Sequence, residues 1–73
     1  MCMASNKKHW KLIPSNLDYV SWTETGSARA AIAAARFATR EDPRIGRVDV
    51  YPMIRDESSL SGWSADFDAD SIN

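Results

Sequence analysis

The sequence predicts an α+β domain of two layers, in which one helix packs on one face of a small antiparallel sheet. Two segments, 18–24 and 47–51, alternate between apolar and polar side chains, which is typical of half-buried strands. An alanine-rich segment at 28–40 lies between them and carries its arginines at helical spacing. Further strand-like segments near both ends complete the predicted order β-β-α-β-β.

The first two strands are predicted at 8–13 and 17–24 and form a hairpin. Pro14 ends the first strand, because proline donates no backbone hydrogen bond and holds the residue before it extended. Serine and asparagine follow and favour a turn. In the second strand Val20 and Trp22 share one face of the sheet.

The helix is predicted over about 27–40. Thr25 and Ser27 precede it, and either hydroxyl can accept a hydrogen bond from the first unpaired amides of a helix. At about 100° per residue the arginines fall on one stripe, and Phe37 is expected between the two faces, at the rim. That opposite face is rich in small residues, which allows a close approach to the sheet. It consists of Ala28, Ala31, Ile32, Ala35 and Ala38.

A third strand is predicted at 47–54, after a proline and a glycine at 43–46 end the helix. Val48 and Val50 are expected to face inward. Pro52 has no amide proton, so the strand either ends there or has this position at a sheet edge.

A short fourth strand is predicted within 60–67, after a polar link at 55–59 that is too short to separate domains. Its apolar side chains alternate and therefore share one face. They are Trp63, Ala65 and Phe67.

Length and composition limit the class of protein. A chain of 73 residues forms one domain, 1–73, whose ends at 1–7 and 68–73 are expected to be flexible. Its 44% hydrophobic residues, 10% aromatic residues and net charge of -1 favour a folded chain over a disordered one. The sequence has no apolar run of about 18 residues and no secretory signal, which predicts a cytoplasmic protein without a membrane span.

Residues for catalysis and metal binding are sparse. Cys2 and His9 are the only cysteine and histidine, so the chain offers no internal disulfide, no Cys/His zinc site and no Cys–His nucleophilic pair. The spacing of the carboxylates predicts no pair placed for acid–base chemistry. Segment 66–70 resembles the first half of a calcium loop but lacks the glycine and the final glutamate of that motif. We therefore predict no enzyme, no metal and no cofactor.

The charges are divided unevenly along the chain. Residues 1–54 carry eight basic and five acidic side chains, a balance of +3, whereas 55–73 carry one arginine and five acidic side chains, a balance of -4. Such a chain can bind either a polyanion or a basic groove, so the sign of its partner does not follow from the net charge.

The strongest candidate binding surface is a stripe on the predicted helix formed by Arg29, Arg36 and Arg40, which Arg44 and Arg47 can extend. Parallel guanidinium groups on a rigid element suit bidentate contacts with phosphates or carboxylates. The same stripe is also typical of the solvated face of an amphipathic helix.

A second candidate surface combines Lys7, Lys8 and Lys11 with Trp10. Basic side chains around an aromatic ring are typical of nucleic-acid contacts, although a solvated strand edge has the same composition. At least one aromatic ring is expected at the surface, since one alanine-lined helix cannot cover all of them. The alternative is an acidic surface that imitates phosphates, formed by Asp56, Glu57, Asp66, Asp68 and Asp70.

The succession of segments 20–25, 27–38 and 46–50 resembles in layout the very small single-domain proteins that phages use as anti-CRISPR inhibitors of type I surveillance complexes. In several of these a hairpin leads through a Ser/Thr cap into an alanine-rich helix and back to a further hairpin. The resemblance covers most of residues 9–67 as a pattern of elements, without a shared motif. It implies a non-enzymatic protein that binds the crRNA-guided Cascade complex and prevents target-DNA recognition or nuclease recruitment.

Our leading expectation is therefore an inhibitor from a phage or mobile element that covers a surface of a host complex in the bacterial cytoplasm. The alternative is a small nucleic-acid-binding module that uses the lysine cluster and the basic helix face. A third is an assembly subunit whose strand edge pairs with a second copy, so both a monomer and a homodimer are compatible with the sequence.

Overall fold

A computed structural model describes residues 8–73 and shows one helix packed on one face of a four-stranded antiparallel sheet, which confirms the predicted α+β class. The strand order across the sheet is β2-β1-β3-β4. The elements are β1 His9–Pro14, β2 Trp22–Thr25, helix α1 Ala28–Glu41, a 3₁₀ turn Pro43–Ile45, β3 Val48–Arg55 and β4 Trp63–Ala65. The expectations for 1–7, including those for Cys2 and Lys7, lie outside the described residues.

Alternating side chains of the central strands β1 and β3 fill the core. Leu12 lies opposite Val50 in the register, and partners in register point to the same face of the sheet. Val48 and Val50 face inward, as predicted. From the helix, two alanines pack against this face, whereas Ala28 is exposed in the first helical turn. The core cluster consists of Trp10, Leu12, Ala31, Ala35, Ile45, Val48 and Val50.

The second strand is shorter than the predicted segment 17–24, and that boundary was wrong. Leu17 is 91% exposed and Val20 is 85% exposed, outside the sheet. The cause is Asn16, whose Oδ1 accepts a 3.0 Å hydrogen bond from the amide of Asp18 and thereby forms a local turn. The amide nitrogen of the same side chain donates to the carbonyl oxygen of Arg44 at 2.8 Å, which joins the turn to a distant segment.

Strand β3 continues through Pro52 to Arg55 and does not end at the proline. The carbonyl oxygen of Pro52 accepts a 2.8 Å hydrogen bond from the amide of Asp66. The backbone N and O atoms of one strand residue point to the same side of the strand. The nitrogen of Pro52, which has no proton, therefore faces the end of the β3–β4 ladder. On the other side Pro52 pairs with Trp10 at a position where no amide proton is needed.

Strand β4 occupies three residues of the predicted segment 60–67, and Phe67 lies just beyond it in a turn. The expected frayed end at 68–73 instead makes hydrogen bonds with β3. The amide of Ile72 donates to the carbonyl oxygen of Val50 at 3.0 Å, and the amide of Val50 donates to Oδ1 of Asn73 at 3.0 Å. The final residues therefore run along the part of β3 that β4 leaves uncovered.

Candidate functional site

Helix α1 has one face in the core and one face turned away from the sheet. Ala31 and Ala35 are buried against the sheet, so the arginine stripe on the opposite arc faces outward. The helix begins after Ser27, whose Oγ accepts a 3.1 Å hydrogen bond from the amide of Ala30. Of the two capping candidates, the structure thus selects the serine.

The structure divides the five candidate arginines into two groups. The Nε atom of Arg44 lies 3.3 Å from Oδ1 of Asp42. The Nε atom of Arg47 lies 3.0 Å from Oδ1 of Asp49. The other three are exposed and form no ion pair within residues 8–73, which leaves their guanidinium groups available to a partner. These three are Arg29, Arg36 and Arg40.

Phe37 lies beside the arginine stripe on the exposed part of the helix. Its side chain is 61% exposed, directly after Arg36 and one helical turn before Arg40. Ala33, one turn earlier, is also exposed, so the ring stands beside a flat part of the helix surface. Exposed aromatic rings and arginines are enriched in protein–protein interfaces. We call Arg29, Arg36, Phe37 and Arg40 the outer face of α1.

A hydrogen-bonded cluster holds the end of α1 in place. The hydroxyl of Tyr19 donates to Oδ2 of Asp42 at 2.7 Å, and Oδ1 of Asp42 accepts from the backbone and side chain of Arg44. The hydrogen bond from Tyr19, followed by that from Arg44, lowers the pKa of Asp42. The bond to Asp42 raises the pKa of Tyr19 in turn. The cluster joins the β1–β2 loop to the chain after the helix.

The predicted lysine and tryptophan surface is not a single surface. Trp10 is only 4% exposed, and its indole nitrogen donates to the carbonyl oxygen of Gly26 at 2.8 Å, so its ring cannot stack with a nucleic-acid base. Lys11 lies between two buried residues of β1 and therefore points to the sheet face without the helix. Lys8 is exposed before β1. The sheet thus separates Lys11 from the outer face of α1, and one flat partner cannot contact both.

A stack of side chains that the sequence does not predict lies on the helix-free face of the sheet. The rings of His9 and Trp63 lie 3.9 Å apart between centroids with an interplanar angle of 9°. The guanidinium carbon of Arg55 lies 5.3 Å from the ring centroid of Trp63. Because β3 runs between β1 and β4, this stack bridges over β3, where Met53 is only 7% exposed. No local pattern in the sequence indicates this long-range pair.

The acidic candidates form two separate groups, one before and one after β4. Asp56 begins the β3–β4 turn, and its Oδ1 accepts hydrogen bonds from the amide and hydroxyl of Ser58, which lower the pKa of this carboxyl. In the second group, Oδ1 of Asp66 accepts from the amide of Asp68. These two aspartates therefore act in local turns. Exposed carboxylates without such a bond in the described structure are Glu57, Asp68 and Asp70.

Residues 8–73 contain no group of three or more histidine, cysteine or acidic side chains arranged to hold a metal ion. In the same part of the chain, no helix has the length and apolar character needed to cross a bilayer. No protein-family model, curated protein or solved structure matches the chain.

Proposed function

We propose that this protein is a non-enzymatic binding module that acts by covering a surface of a partner protein with the outer face of α1. One observation carries the proposal: three exposed arginines without ion pairs in the described structure form a stripe on one rigid helix, and an exposed phenylalanine lies beside that stripe. An aromatic ring next to unpaired arginines has the composition that is enriched in protein–protein interfaces.

The chemistry of this face favours a protein partner with carboxylates around a shallow apolar depression. Arg29 and Arg40 are eleven positions apart, which places them roughly 16 Å from each other along the helix axis. Each guanidinium can bind a carboxylate in a bidentate manner, and Phe37 can enter the depression between them. The alanine contact with the sheet keeps the helix in place, so little conformational entropy is lost on binding.

The layout resemblance to small anti-CRISPR proteins supports a specific partner class, the type I CRISPR–Cas surveillance complex of a bacterial host. In this proposal the protein acts in the bacterial cytoplasm and binds Cascade, which prevents the recognition of target DNA or the recruitment of the nuclease. In this proposal the inhibitor catalyses no reaction.

The test measures binding of the purified protein to a purified type I surveillance complex, together with binding of target DNA by that complex. The triple variant Arg29→Glu/Arg36→Glu/Arg40→Glu is expected to bind at least about 100-fold more weakly, because hot-spot side chains each contribute roughly 2 kcal/mol or more. Phe37→Ala should weaken binding without a change in charge. Circular dichroism must show that both variants retain the helix.

A matched control reverses three basic side chains away from the helix, Lys8→Glu/Lys11→Glu/Arg55→Glu, and so makes the same change in net charge. Unchanged affinity of this control supports a specific role of α1. Equal loss in both triple variants, or no binding of the unaltered protein, contradicts the proposal.

A nucleic-acid partner is a distinct outcome of the same experiment. The arginines would then bind phosphates, and the protein would bind naked RNA or duplex DNA with affinity that falls steeply between about 50 and 200 mM salt. Such binding, with no binding to the surveillance complex after nuclease treatment, would replace the inhibitor proposal.

A further inference from the structure

A second candidate site lies at the outer edge of β3, away from the outer face of α1 except for Arg36. Strand β4 pairs with β3 only from Met53 to Arg55. The preceding part of β3 pairs with β1 on its inner side, and its outer side would be an open edge. An open edge presents backbone N–H and C=O groups that attract another extended segment.

Residues 71–73, which we call the strap, occupy this edge. The side-chain amide of Asn73 donates to the carbonyl oxygen of Val48 and accepts from the amide of Val50, while the amide of Ile72 donates to the carbonyl oxygen of Val50. The hydroxyl of Ser71 donates to the same oxygen of Asn73. A carboxamide and one main-chain amide thus take the role that the backbone of an added strand would have.

The strap makes these bonds while its own side chains remain largely outside the core. Ile72 is 36% exposed and Asn73 is exposed, and neither belongs to the core cluster. The bonds between the Asn73 side chain and β3 are part-buried, but a segment outside the core cluster opens more readily than the strands of the core. Opening of the strap would leave the residues of the core cluster in place.

Beside the strap, a cleft of about 470 Å³ separates α1 from the edge of β3. Ala35 and Val48 line the cleft and are each only 2% exposed. Arg36 and Arg47 stand at its rim, and Arg47 also contacts Asp49. The cleft thus combines room for an apolar side chain with two cationic groups next to an edge that accepts a strand.

We propose that this edge and cleft bind an extended acidic peptide segment of a partner protein, which replaces the strap as an added strand. The peptide backbone bonds to Val48 and Val50, an apolar side chain enters the cleft, and a carboxylate binds Arg36, while Arg47 adds positive charge beside it. The strap acts as an internal competitor, so the affinity of the site depends on the fraction of molecules in which the strap is open. The positive rim disfavours a basic segment.

The probe is a fluorescein-labelled, acetylated heptapeptide of alternating glutamate and valine, and its affinity is measured by fluorescence anisotropy. Two variants release the strap: Asn73→Ala removes the carboxamide, and Ile72→Pro removes the amide proton. Both are expected to bind the probe at least about tenfold more tightly than the unaltered protein, because the competitor is weakened. Amide NMR signals of residues 48–50 should shift on binding.

Controls separate this site from the outer face of α1. Arg29→Glu/Arg40→Glu leaves the cleft intact and should bind the probe normally, even if binding to a surveillance complex is lost. Arg47→Glu in the Asn73→Ala background, and a heptapeptide with lysine in place of glutamate, should both reduce binding. If the probe does not bind at the edge of β3, the proposal for the outer face of α1 is therefore unaffected.

Three results would overturn the inference. Equal affinity of the strap variants and the unaltered protein would show that the strap does not compete. Signal changes confined to α1 would place the peptide elsewhere. A homodimer of Asn73→Ala in sedimentation velocity, without peptide binding, would assign the opened edge to a second copy of the chain.

Discussion

The hydroxyl of Tyr19 donates a 2.7 Å hydrogen bond to Oδ2 of Asp42, and this contact joins two segments that are 23 positions apart in the sequence. Tyr19 belongs to the loop between β1 and β2, whereas Asp42 follows the last residue of α1. Because Asp42 also begins the 3₁₀ turn through its bond with the amide of Arg44, one carboxylate orients the loop, the helix end and the turn.

Removal of this hydroxyl should change the pKa of Asp42 and the acid stability of the fold. In the unfolded chain the carboxyl has its ordinary pKa of 3.8, and in the fold the bond from Tyr19 is the main cause that lowers it. Asp42 therefore stabilises the fold above about pH 4, and this contribution is lost as the pH falls through its folded pKa. Tyr19→Phe should raise the folded pKa of Asp42 towards 3.8.

The measurement is an NMR titration of the carboxyl carbon of Asp42, combined with urea unfolding at about pH 7 and about pH 2.5. The difference in unfolding free energy between Tyr19→Phe and the unaltered protein should be larger at the higher pH. Tyr51→Phe is the control, since Tyr51 contacts Phe67 and no hydrogen bond of its hydroxyl is found in the described part of the chain. An unchanged pKa of Asp42 in Tyr19→Phe would refute the assignment.

Gly46 should tolerate no side chain. Its φ of 79° and ψ of -158° lie in a region that is essentially restricted to glycine, and a Cβ atom there would be 2.1 Å from Oγ of Ser15. Backbone strain alone should lower the unfolding free energy of Gly46→Ala by roughly 1–3 kcal/mol, and the contact with Ser15 should lower it further. In the double variant Ser15→Ala/Gly46→Ala, urea unfolding should show that the part of the free-energy loss due to the contact is recovered, while the part due to backbone strain remains.

Gly62→Ala serves as the comparison for backbone strain, because Gly62 has a φ of 83° and open space around its Cβ position. We expect Gly46→Ala to be the more destabilising of the two. The opposite order would mean that the contact with Ser15 is relieved at no cost by rotation of its side chain.

The close approach of α1 to the sheet should depend on Ala35. This residue is buried, and Ala35→Leu would insert a larger side chain between the helix and the sheet at a cost of roughly 1–3 kcal/mol. Ala33→Leu adds the same atoms on the exposed side and should change the unfolding free energy by no more than about 0.5 kcal/mol. Similar urea midpoints for the two variants would contradict the packing described.

The N-terminus of α1 should depend on Ser27 and not on Thr25. Ser27→Ala removes the acceptor for the amide of Ala30 and should lower the unfolding free energy by about 1 kcal/mol. Thr25→Ala keeps that bond and should have the smaller effect. Thermal unfolding followed by circular dichroism measures both, and a larger loss in Thr25→Ala would show that the other hydroxyl caps the helix.

Several elements could be predicted because their signals are local. The spacing of alanine and arginine over three turns indicates a helix with a buried and an exposed face, and the alternation at Val48 and Val50 indicates an inward-facing strand. The boundary of β2 was not predicted, because Asn16 forms a turn with Asp18 and this turn is joined to the carbonyl oxygen of Arg44, 28 positions away. A contact at that distance along the chain leaves no periodic signal in either segment.

The candidate site shows the same division. The arginine stripe follows from helical geometry, but the sequence cannot tell which arginines meet a carboxylate: Arg44 reaches Asp42 and Arg47 reaches Asp49, while the other three have no such partner in residues 8–73. The sequence does not distinguish Trp10 from a surface ring. Alternation shows which residues share a face of the sheet, but it does not show which face the helix covers.

The sequence by itself determined the class of the fold, the extent of its helix and the two faces of that helix, because these depend on propensity and period over short distances. The tertiary structure decided which face of the sheet the helix covers, and with it the burial of Trp10 and the separation of Lys11 from the arginines. It also decided that the strap lies along β3, because an open strand edge is satisfied by whichever segment the packed chain brings beside it.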